Sequence, residues 1–324
     1  MRAILCTEWG GPEKLTLATL PDPVAMPGQV VIGVRAAGVN FPDVLIVQYK
    51  YQLRPDLPFI PGSEVAGEVL AVGEGVTTPR VGDRVLAACR IGGFAEQVAV
   101  PAESCHVLPG GVGYPEAAVF MLAYCTVWHA LTDRAAAKPG ETLLVLGAAG
   151  GVGLAAVQIG KALGLRVIAA ASSPGKLAVC AAHGAGALID YSAEDLRAGI
   201  ARATDGQGPD IIFDPVGGAL SEPAFRSIAW RGRHLVVGFA EGAIPSLPLN
   251  LPLLKGAALV GVSWGGYLKR EHAAYRIAAA ELLAWLASGR LKPLISARYA
   301  LQDTPRALQD MAARRAIGKL VIEP

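Results

Sequence analysis

Short apolar runs alternate with longer helical stretches from about residue 114 to residue 252. The runs have the nearly continuous apolar character of strands buried in a parallel sheet. The predicted strands are Thr142–Leu146, Arg166–Ala171, Ala187–Ile189, Ile211–Phe213 and His234–Val237. The predicted helices are Glu116–Ala135, Gly151–Leu163, Gly175–His183, Ala193–Thr204 and Leu220–Ile228. Strands that alternate with helices predict an α/β fold with a doubly wound parallel sheet of the Rossmann type.

The chain on either side of this region has a different pattern. Before it, short β-type runs such as Val30–Val34, Val65–Val72 and Val81–Leu86 are separated by glycine and proline turn signals. Such runs predict a compact, barrel-like β domain. After Pro252 the pattern predicts one more strand, Ala258–Val262, and a helix near Ala273–Ser288.

The strongest motif follows the first strand of the parallel sheet. From Leu143 to Val157 an apolar strand passes through a glycine-rich turn into an apolar helix, which is the setting of a dinucleotide fingerprint. Gly147 supplies the tight turn, and the helix start has free N–H groups that face a bound phosphate. The predicted pyrophosphate contacts are Ala149, Gly150, Gly151, Val152 and Gly153. The alternative is a glycine-rich turn that binds no ligand.

Two glycines of this motif have different structural roles. Gly150 lets a pyrophosphate approach the backbone, and Gly153 lets the helix pack closely on the strand.

The end of the second predicted strand distinguishes NADPH from NADH. An NAD site usually places Asp or Glu there to hold the ribose 2′-hydroxyl. This chain has Ser172 and Ser173 instead, followed by Lys176. Hydroxyls and an ammonium group can hold a 2′-phosphate, which a carboxylate would repel. The sequence therefore predicts NADPH as the cofactor, with Lys176 as an ordinary solvated lysine as the alternative.

Length, composition and charge narrow the class of protein. A chain of 324 residues suits two domains, and 52% hydrophobic with 17% charged residues is typical of globular proteins. The 29 basic and 27 acidic residues give a net charge of +2, which offers no electrostatic reason to expect a nucleic-acid or membrane partner. No apolar run approaches the ~20 residues that a bilayer-spanning helix needs.

The cysteines and the first residues indicate a reducing compartment. Five cysteines are scattered without regular spacing, which argues against a disulfide framework and for small buried hydrophobic side chains. Glu8 follows the start too early for a signal peptide. We expect a cytoplasmic protein.

Five features of the sequence together point to a family. In order along the chain they are Val39–Asp43, Pro61–Gly67, Gly147–Gly153, Asp214–Gly218 and Gly318–Ile322. Over essentially its whole length the chain resembles the zinc-free quinone oxidoreductases of the medium-chain dehydrogenase/reductase superfamily, the zeta-crystallin-like branch.

The resemblance implies the domain organisation. A GroES-like β-barrel catalytic domain would comprise residues 1–121 and 259–324, and a Rossmann NADPH-binding domain, residues 122–258, would be inserted between them. It also implies a homodimer joined through the Ala258–Val262 edge strand, and an active site in the cleft between the domains.

The resemblance also implies roles for individual residues. Asn40, Tyr51 and Thr126 would face the nicotinamide as catalytic residues, and Lys176 and Tyr191 would lie near the adenosine phosphate. The remaining cofactor groove would comprise Val216, Gly217, Gly238, Phe239 and Ser263. Leu45 stands where some relatives have a second active-site tyrosine, so acceptor preference does not carry over from them.

Zinc ligands are missing from the sequence. Zinc alcohol dehydrogenases have a cysteine near the position of Asn40 and a histidine near that of Ser63, and neither residue type is present there. Cys89 and Cys105 are too few and too far apart for a four-cysteine structural site. The sequence therefore predicts no metal, with Asp43 and Glu64 in structural roles.

Without a Lewis acid, the acceptor must already be electrophilic. Quinones and enones meet this condition, so we expect a quinone or other conjugated carbonyl as substrate. Asn40 would hydrogen-bond the acceptor or fix the cofactor ribose, and Tyr51 would donate a proton or cover the ring, with solvent as the other proton source. The alternatives are an enoyl-thioester or 2-alkenal double-bond reductase of the same fold, and a non-enzymatic protein that binds NADPH and RNA.

Overall fold

The computed structural model describes all 324 residues and divides into two compact units. The first unit comprises Met1–Leu122 and Leu283–Pro324, and the second comprises Ala123–Leu282. The strands are β1 Arg2–Leu5, β2 Thr16–Thr19, β3 Gln29–Val39, β4 Glu64–Val72, β5 Arg84–Ala88, β6 Gln97–Pro101, β7 Cys105–Val107, β8 Thr142–Leu146, β9 Arg166–Ala171, β10 Ala187–Asp190, β11 Ile211–Asp214, β12 Arg233–Val236, β13 Ala258–Gly261, β14 Ile295–Ala300 and β15 Lys319–Glu323.

Helices connect these strands and follow them. They are α1 Phe41–Val47, α2 Tyr114–Ala118, α3 Met121–Trp128, α4 Gly151–Ala162, α5 Pro174–Ala182, α6 Leu196–Ala203, α7 Ser221–Arg226, α8 Asn250–Lys255, α9 Trp264–Arg270, α10 His272–Ala287 and α11 Thr304–Ala312. None of them combines the length and the apolar character that crossing a membrane requires.

A largely antiparallel sheet forms the first unit. Its strand order is β14-β15-β3-β4-β5-β7, with β6 also paired to β3, and only β14 and β15 run parallel. The C-terminal strand β15 pairs with β3, where Leu320 lies opposite Val39, so both ends of the chain contribute to one sheet. Apolar side chains such as Ile32, Val65 and Phe94 fill the core of this unit.

A six-stranded parallel sheet forms the second unit, in the order β10-β9-β8-β11-β12-β13. This is the strand order of the doubly wound dinucleotide-binding fold, in which the order reverses beside the first strand, here between β8 and β11. Every residue of β8 is buried, as expected for a central strand covered on both faces. The predicted Rossmann sheet is confirmed, and the predicted bounds of β8 and β9 match those observed.

The prediction of one helix over Glu116–Ala135 is wrong. The segment forms α2, a break at Val119 and Phe120, then α3, which continues into a π-helical turn over His129–Arg134. Val119 and Phe120 are completely buried, so packing of these two side chains outweighs the local helical preference.

The second unit extends further along the chain than the sequence predicted. Strand β13 pairs in parallel with β12, from Arg233 opposite Ala258 to Val236 opposite Gly261, and the compact unit ends at Leu282. The predicted boundary between residues 258 and 259 therefore falls at the start of an edge strand of the parallel sheet.

We predict that Gly153→Ala destabilises the second unit. A Cβ at this position would lie 2.3 Å from the Gly147 carbonyl oxygen and 2.9 Å from Ala148 Cα, and neither backbone atom can move aside easily. Overpacking of this kind costs about 1–3 kcal/mol, measurable as the loss in free energy of unfolding in urea. Gly175→Ala is the control, because a Cβ there meets open space in α5, and equal stabilities of the two variants would contradict the close packing.

Candidate functional site

The predicted cofactor residues of the second unit follow the carboxyl ends of its parallel strands. Ala149–Gly153 follow β8, Ser172 and Ser173 follow β9, and Tyr191 follows β10. Val216 and Gly217 follow β11, Gly238 and Phe239 follow β12, and Ser263 follows β13. Because all six strands run parallel, these residues lie along one edge of the sheet, where ligands bind in open α/β folds.

The turn between β8 and α4 has the geometry of a phosphate cradle. Gly147 adopts a left-handed backbone with φ of 60°, and its carbonyl accepts from the Gly150 N–H at 3.0 Å. Gly150 is the N-cap of α4 with no side-chain cap, so the following N–H groups are directed out of the helix start. A Cβ on Gly150 would meet only the Gly147 oxygen, at 3.4 Å, which leaves open space in front of the helix.

The residues predicted to hold the adenosine phosphate lie together at the end of β9. Lys176 Nζ donates to Ser172 Oγ at 3.1 Å, which directs the ammonium group toward the strand end. The Ser173 hydroxyl caps α5 by accepting from the Lys176 N–H at 3.4 Å. The Tyr191 N–H donates to the Ala171 carbonyl, which brings the next strand's turn beside these residues.

One carboxylate near this group was missed by reasoning from the sequence. Asp190 ends β10 opposite Ala171 of β9. Its Oδ1 accepts from the N–H of Ser192 at 3.0 Å and from the Ser192 hydroxyl at 2.6 Å. The carboxylate is therefore used to form its own turn, which the signal Asp-x-Ser after an apolar strand could have indicated.

The turn that contains Val216 and Gly217 is fixed by Asp214. Asp214 Oδ1 accepts from the N–H groups of Val216 and Gly217, both at 2.9 Å. Its Oδ2 accepts from the Ser221 hydroxyl and lies 3.1 Å from His234 Nε2. Desolvation by burial opposes ionisation of Asp214, but these partners outweigh it, and the pKa of the carboxyl is lowered.

The two neighbouring loops pack on the Asp214 turn. A Cβ on Gly217 would lie 2.8 Å from Phe239 Cδ1, and one on Gly147 would lie 2.7 Å from Val216 Cγ2. The structure therefore brings the cradle, the Val216 turn and Phe239 into one packed group. Ser263 caps α9 through the Gly266 N–H at 3.3 Å.

The three residues predicted to face the nicotinamide lie in different units. Asn40 and Tyr51 belong to the first unit, whereas Thr126 lies on α3 in the second and is buried. Their catalytic roles stay predictions.

Asn40 opens α1 and is surrounded by polar side chains. Its Nδ2 donates to Glu64 Oε1 at 2.9 Å, and its Oδ1 accepts from Lys319 Nζ. Strand register explains the cluster, because Gly38 pairs with Glu64 and Val39 with Leu320, which sets Glu64 and Lys319 beside Asn40. The side-chain amide of Asn40 is thus mostly engaged in hydrogen bonds within the first unit.

Lys319 was not singled out as a site residue from the sequence. Its side chain is almost completely buried, and its ammonium group also donates to Glu64 Oε1 at 3.1 Å. The sequence signal that could have identified it is a lysine at the start of an apolar C-terminal strand, since buried lysines are nearly always paired.

Asp43 is the second buried carboxyl of this cluster. Its Oδ2 accepts from the Asn40 N–H at 2.8 Å, whereas its Oδ1 has no hydrogen-bond partner. Burial raises the pKa of Asp43 to about 7, against the opposing effects of the Asn40 N–H, the Ser63 hydroxyl and Lys319, while Glu64 adds to the rise.

Tyr51 lies in a loop and is half-buried against the core of the first unit. Burial, with a smaller contribution from Asp43, raises the pKa of its phenol. A phenol already has a pKa near 10, so this environment makes Tyr51 a weaker acid still.

The side chains of this site do not fit a zinc ion. Asn40 and Ser63 contact each other at 3.4 Å, and no group of three or more His, Cys, Asp and Glu side chains has a metal-binding arrangement. None of the five cysteines forms a disulfide, and four of them are buried.

Comparison with known proteins shows which families and proteins the chain is similar to. Residues 26–110 match the family described as alcohol dehydrogenase GroES-like domain, and residues 151–284 match that described as zinc-binding dehydrogenase. The chain is 37% identical to quinone oxidoreductase-like protein 2 homolog of Nematostella vectensis, over 99% of this chain and 88% of that protein. It is 35% identical to a quinone oxidoreductase of Pseudomonas aeruginosa, over 98% and 97% of the two chains.

A solved structure gives the same result for the fold. The structure of Escherichia coli quinone oxidoreductase complexed with NADPH matches with a TM-score of 0.94 and 30% identity, and the match covers 100% of both chains.

We predict that Asp43→Asn changes how stability depends on pH. Because the folded pKa of about 7 lies above the ordinary value of about 3.9, the folded chain keeps a proton that the unfolded chain loses. The wild-type free energy of unfolding should therefore carry a contribution that falls as pH rises from about 4 to about 7 and then levels off. The variant should lack this contribution.

Urea unfolding at a series of pH values measures the difference. Asp56→Asn, an exposed aspartate of the same unit, is the control and should follow the wild type. Parallel curves for wild type and Asp43→Asn would show that Asp43 has an ordinary pKa.

Proposed function

Because the chain belongs to the quinone oxidoreductase family of the medium-chain dehydrogenase/reductase superfamily, as its motifs predicted, we propose that it transfers hydride from NADPH to a quinone or other conjugated carbonyl without zinc. The Gly147–Gly153 turn at the carboxyl edge of a parallel sheet supports this proposal most directly. Its close backbone packing and uncapped helix start fit the pyrophosphate of a nicotinamide dinucleotide.

Charge at the end of β9 favours NADPH over NADH. Lys176 and Ser172 form a hydrogen-bonded pair there, and Ser173 has a second hydroxyl. No carboxylate ends β9, and Asp190 on the adjacent strand is engaged by Ser192. An ammonium group and hydroxyls would hold the 2′-phosphate through charge-assisted hydrogen bonds.

The residues of the chain would mainly position the reactants. When bound, NADPH supplies the hydride. The Asp214 turn and Phe239 would line the groove on one side of the cradle. As the family resemblance implies, Asn40, Tyr51 and Thr126 would each act as catalytic residues. Since Tyr51 is a poor acid, its role would be to cover the ring and exclude water rather than to donate a proton.

An acceptor that is already electrophilic suits a site without a metal. Asn40 and Ser63 stand where zinc enzymes have ligands, and here they belong to a hydrogen-bonded cluster with Glu64 and Lys319. Quinones and enones accept hydride without the polarisation that a metal gives to a simple ketone.

Oxidation of NADPH with a panel of acceptors tests the function. The panel consists of a quinone, a 2-alkenal and an enoyl thioester, each at several concentrations. We expect the highest kcat/KM with the quinone. Activity only with the thioester would identify a double-bond reductase of the same fold, and no activity with any of them would refute the proposal.

A homodimer formed through β13 is the second part of the proposal. This strand ends the parallel sheet, so one edge has no neighbour within the chain. Leu259 on the strand, Leu253 and Leu254 on α8 and the nearby Trp230 are exposed, with Trp230 packed at the end of α8 beside Gly256. An apolar, unpaired edge is suited to pairing with the same edge of a second copy.

We predict that Lys176→Ala raises the KM for NADPH about tenfold or more, because a hydrogen bond to a charged group contributes about 1.5–3 kcal/mol. The KM for NADH, which has no 2′-phosphate, should change little. Steady-state kinetics with both cofactors measures this, with Lys161→Ala, an exposed lysine on α4, as the control. An equal change for the two cofactors would refute the phosphate assignment.

We predict that Leu253→Glu converts a dimer into a monomer, because the charge would be buried when two β13 edges meet. The exposed fraction of Leu253 is 79% in the single chain, so the variant should fold normally. Sedimentation velocity measures the mass, and Val24→Glu, at a comparably exposed residue of the other unit, is the control. A wild-type monomer, or a dimeric Leu253→Glu variant, would contradict the proposed interface.

A further inference from the structure

Four hydrogen-bonding groups of the second unit meet the two oxygens of Asp214, a buried carboxyl at the end of β11. Oδ1 accepts from the N–H groups of Val216 and Gly217, both at 2.9 Å. Oδ2 accepts from the Ser221 hydroxyl and lies 3.1 Å from His234 Nε2. Backbone groups of the turn therefore engage one oxygen, and two side chains engage the other.

The register of two central strands brings His234 to this carboxyl. Ile212 of β11 lies opposite His234 of β12, and the two strands run parallel. Residues two apart on a strand share a face of the sheet, so Asp214 and His234 point to the same face. Helix α7 covers that face, because the centroid of the Phe225 ring lies 5.8 Å from that of the imidazole.

The surroundings of the imidazole decide which ring nitrogen has the proton. His234 is only 3% exposed, with Nε2 beside the carboxylate and Nδ1 buried without a hydrogen-bond partner. A proton on Nε2 makes a charge-assisted hydrogen bond to Asp214, whereas a proton on Nδ1 would be a buried N–H without an acceptor. The ring proton therefore lies on Nε2, and His234 donates to Oδ2.

The turn that Asp214 holds is part of the proposed cofactor groove. A Cβ on Gly147 would lie 2.7 Å from Val216 Cγ2, so Val216 packs directly on the turn that follows β8. A Cβ on Gly217 would lie 2.8 Å from Phe239 Cδ1, so the other side of the turn packs on the next loop. A shift of this backbone would disturb both neighbours.

The plane of the Asp214 carboxylate needs support from both of its oxygens. The terminal torsion of an aspartate is broad, so hydrogen bonds to one oxygen alone fix that plane weakly. The donors at Oδ2 supply the second point of attachment. With the plane fixed, Oδ1 stays directed at the two N–H groups of the turn.

We propose that His234 is a positioning residue for NADPH, which acts by fixing the Asp214 carboxylate through Oδ2. Ser221 assists from the same side. This role rests on the proposed binding of NADPH. His234 would affect the cofactor only through the turn, so its loss should weaken cofactor binding and leave the rate of hydride transfer from bound NADPH nearly unchanged.

The first test needs no cofactor. Nitrogen-15 NMR of the full chain, labelled at its histidines, distinguishes a protonated from an unprotonated ring nitrogen. We expect one histidine, absent from the spectrum of His234→Leu, with its proton on Nε2 and with slow exchange of that proton because the ring is buried. A proton on Nδ1 of this residue would overturn the inference, whether or not the protein binds NADPH.

The second test is titration of full-length variants with NADPH, together with kcat for a quinone at saturating NADPH. His234→Leu removes the donor, and its Kd should rise about tenfold or more, the effect of losing a hydrogen bond to a charged group. His234→Gln keeps a side-chain N–H that can reach Oδ2, so it should bind more tightly than His234→Leu. The kcat of both should stay near that of the wild type.

A second variant removes the other donor to Oδ2. Ser221→Ala keeps the imidazole and should also raise the Kd for NADPH. The matched controls are Ser227→Ala, whose hydroxyl donates to the Pro223 carbonyl at 3.0 Å, and His183→Leu at the end of α5. Both should bind NADPH as the wild type does. Thermal unfolding without cofactor identifies the folded variants, and if His234→Leu does not fold, Ser221→Ala and the NMR spectrum of the wild type decide the outcome.

The outcomes separate the two proposals. No binding of NADPH by any protein, the wild type included, refutes the proposed cofactor and with it the positioning role. Binding by the wild type with an equal Kd in folded His234→Leu and Ser221→Ala overturns the positioning role alone. An equal loss of affinity in His234→Gln and His234→Leu, or in the control variants, would show a general loss of packing and would also overturn it.

Discussion

The N-terminus of α4 packs directly against the turn that follows β8. The proposed cofactor-binding edge of the parallel sheet depends on that contact. Only a residue without a side chain at Gly153 allows the helix backbone to come this close to Gly147 and Ala148. The contact aims the helix N-terminus along the edge of the sheet. Val216 packs on Gly147, and Asp214 fixes the Val216 turn through two backbone N–H groups, so the neighbouring loop is positioned by the same arrangement.

Local patterns were sufficient to predict the parallel sheet of the second unit, but not where that unit ends along the chain. Continuous apolar runs predicted β8 and β9, and the glycine spacing predicted the turn between β8 and α4. The residue types after β9 indicated the group of Ser172, Ser173 and Lys176. The single helix predicted over Glu116–Ala135 does not form, because tertiary packing buries Val119 and Phe120 where the helix would continue.

The charged cluster of the first unit could not be predicted in the same way. Lys319 meets Asn40 and Glu64 across a separation of more than half the chain, and the meeting depends on the register of β15 with β3 and of β3 with β4. Nothing in the immediate neighbourhood of any of these residues encodes that register. Reasoning from the sequence assigned structural roles to Asp43 and Glu64, and it did not predict that Lys319 pairs with Glu64 or that Asp43 Oδ1 has no hydrogen-bond partner.

The central claim is that a nicotinamide dinucleotide lies with its pyrophosphate against Gly150, and calorimetric titration of wild type and Gly150→Val with NADPH tests it most directly. The backbone at Gly150 has an ordinary φ of −75°, and the nearest protein atom to an added Cβ is 3.4 Å away, so the variant should fold. We predict saturable binding of one NADPH per wild-type chain, with a raised midpoint of thermal unfolding, and no detectable binding to the variant. Equal affinities of the two proteins, or no heat of binding to the wild type, would contradict the account.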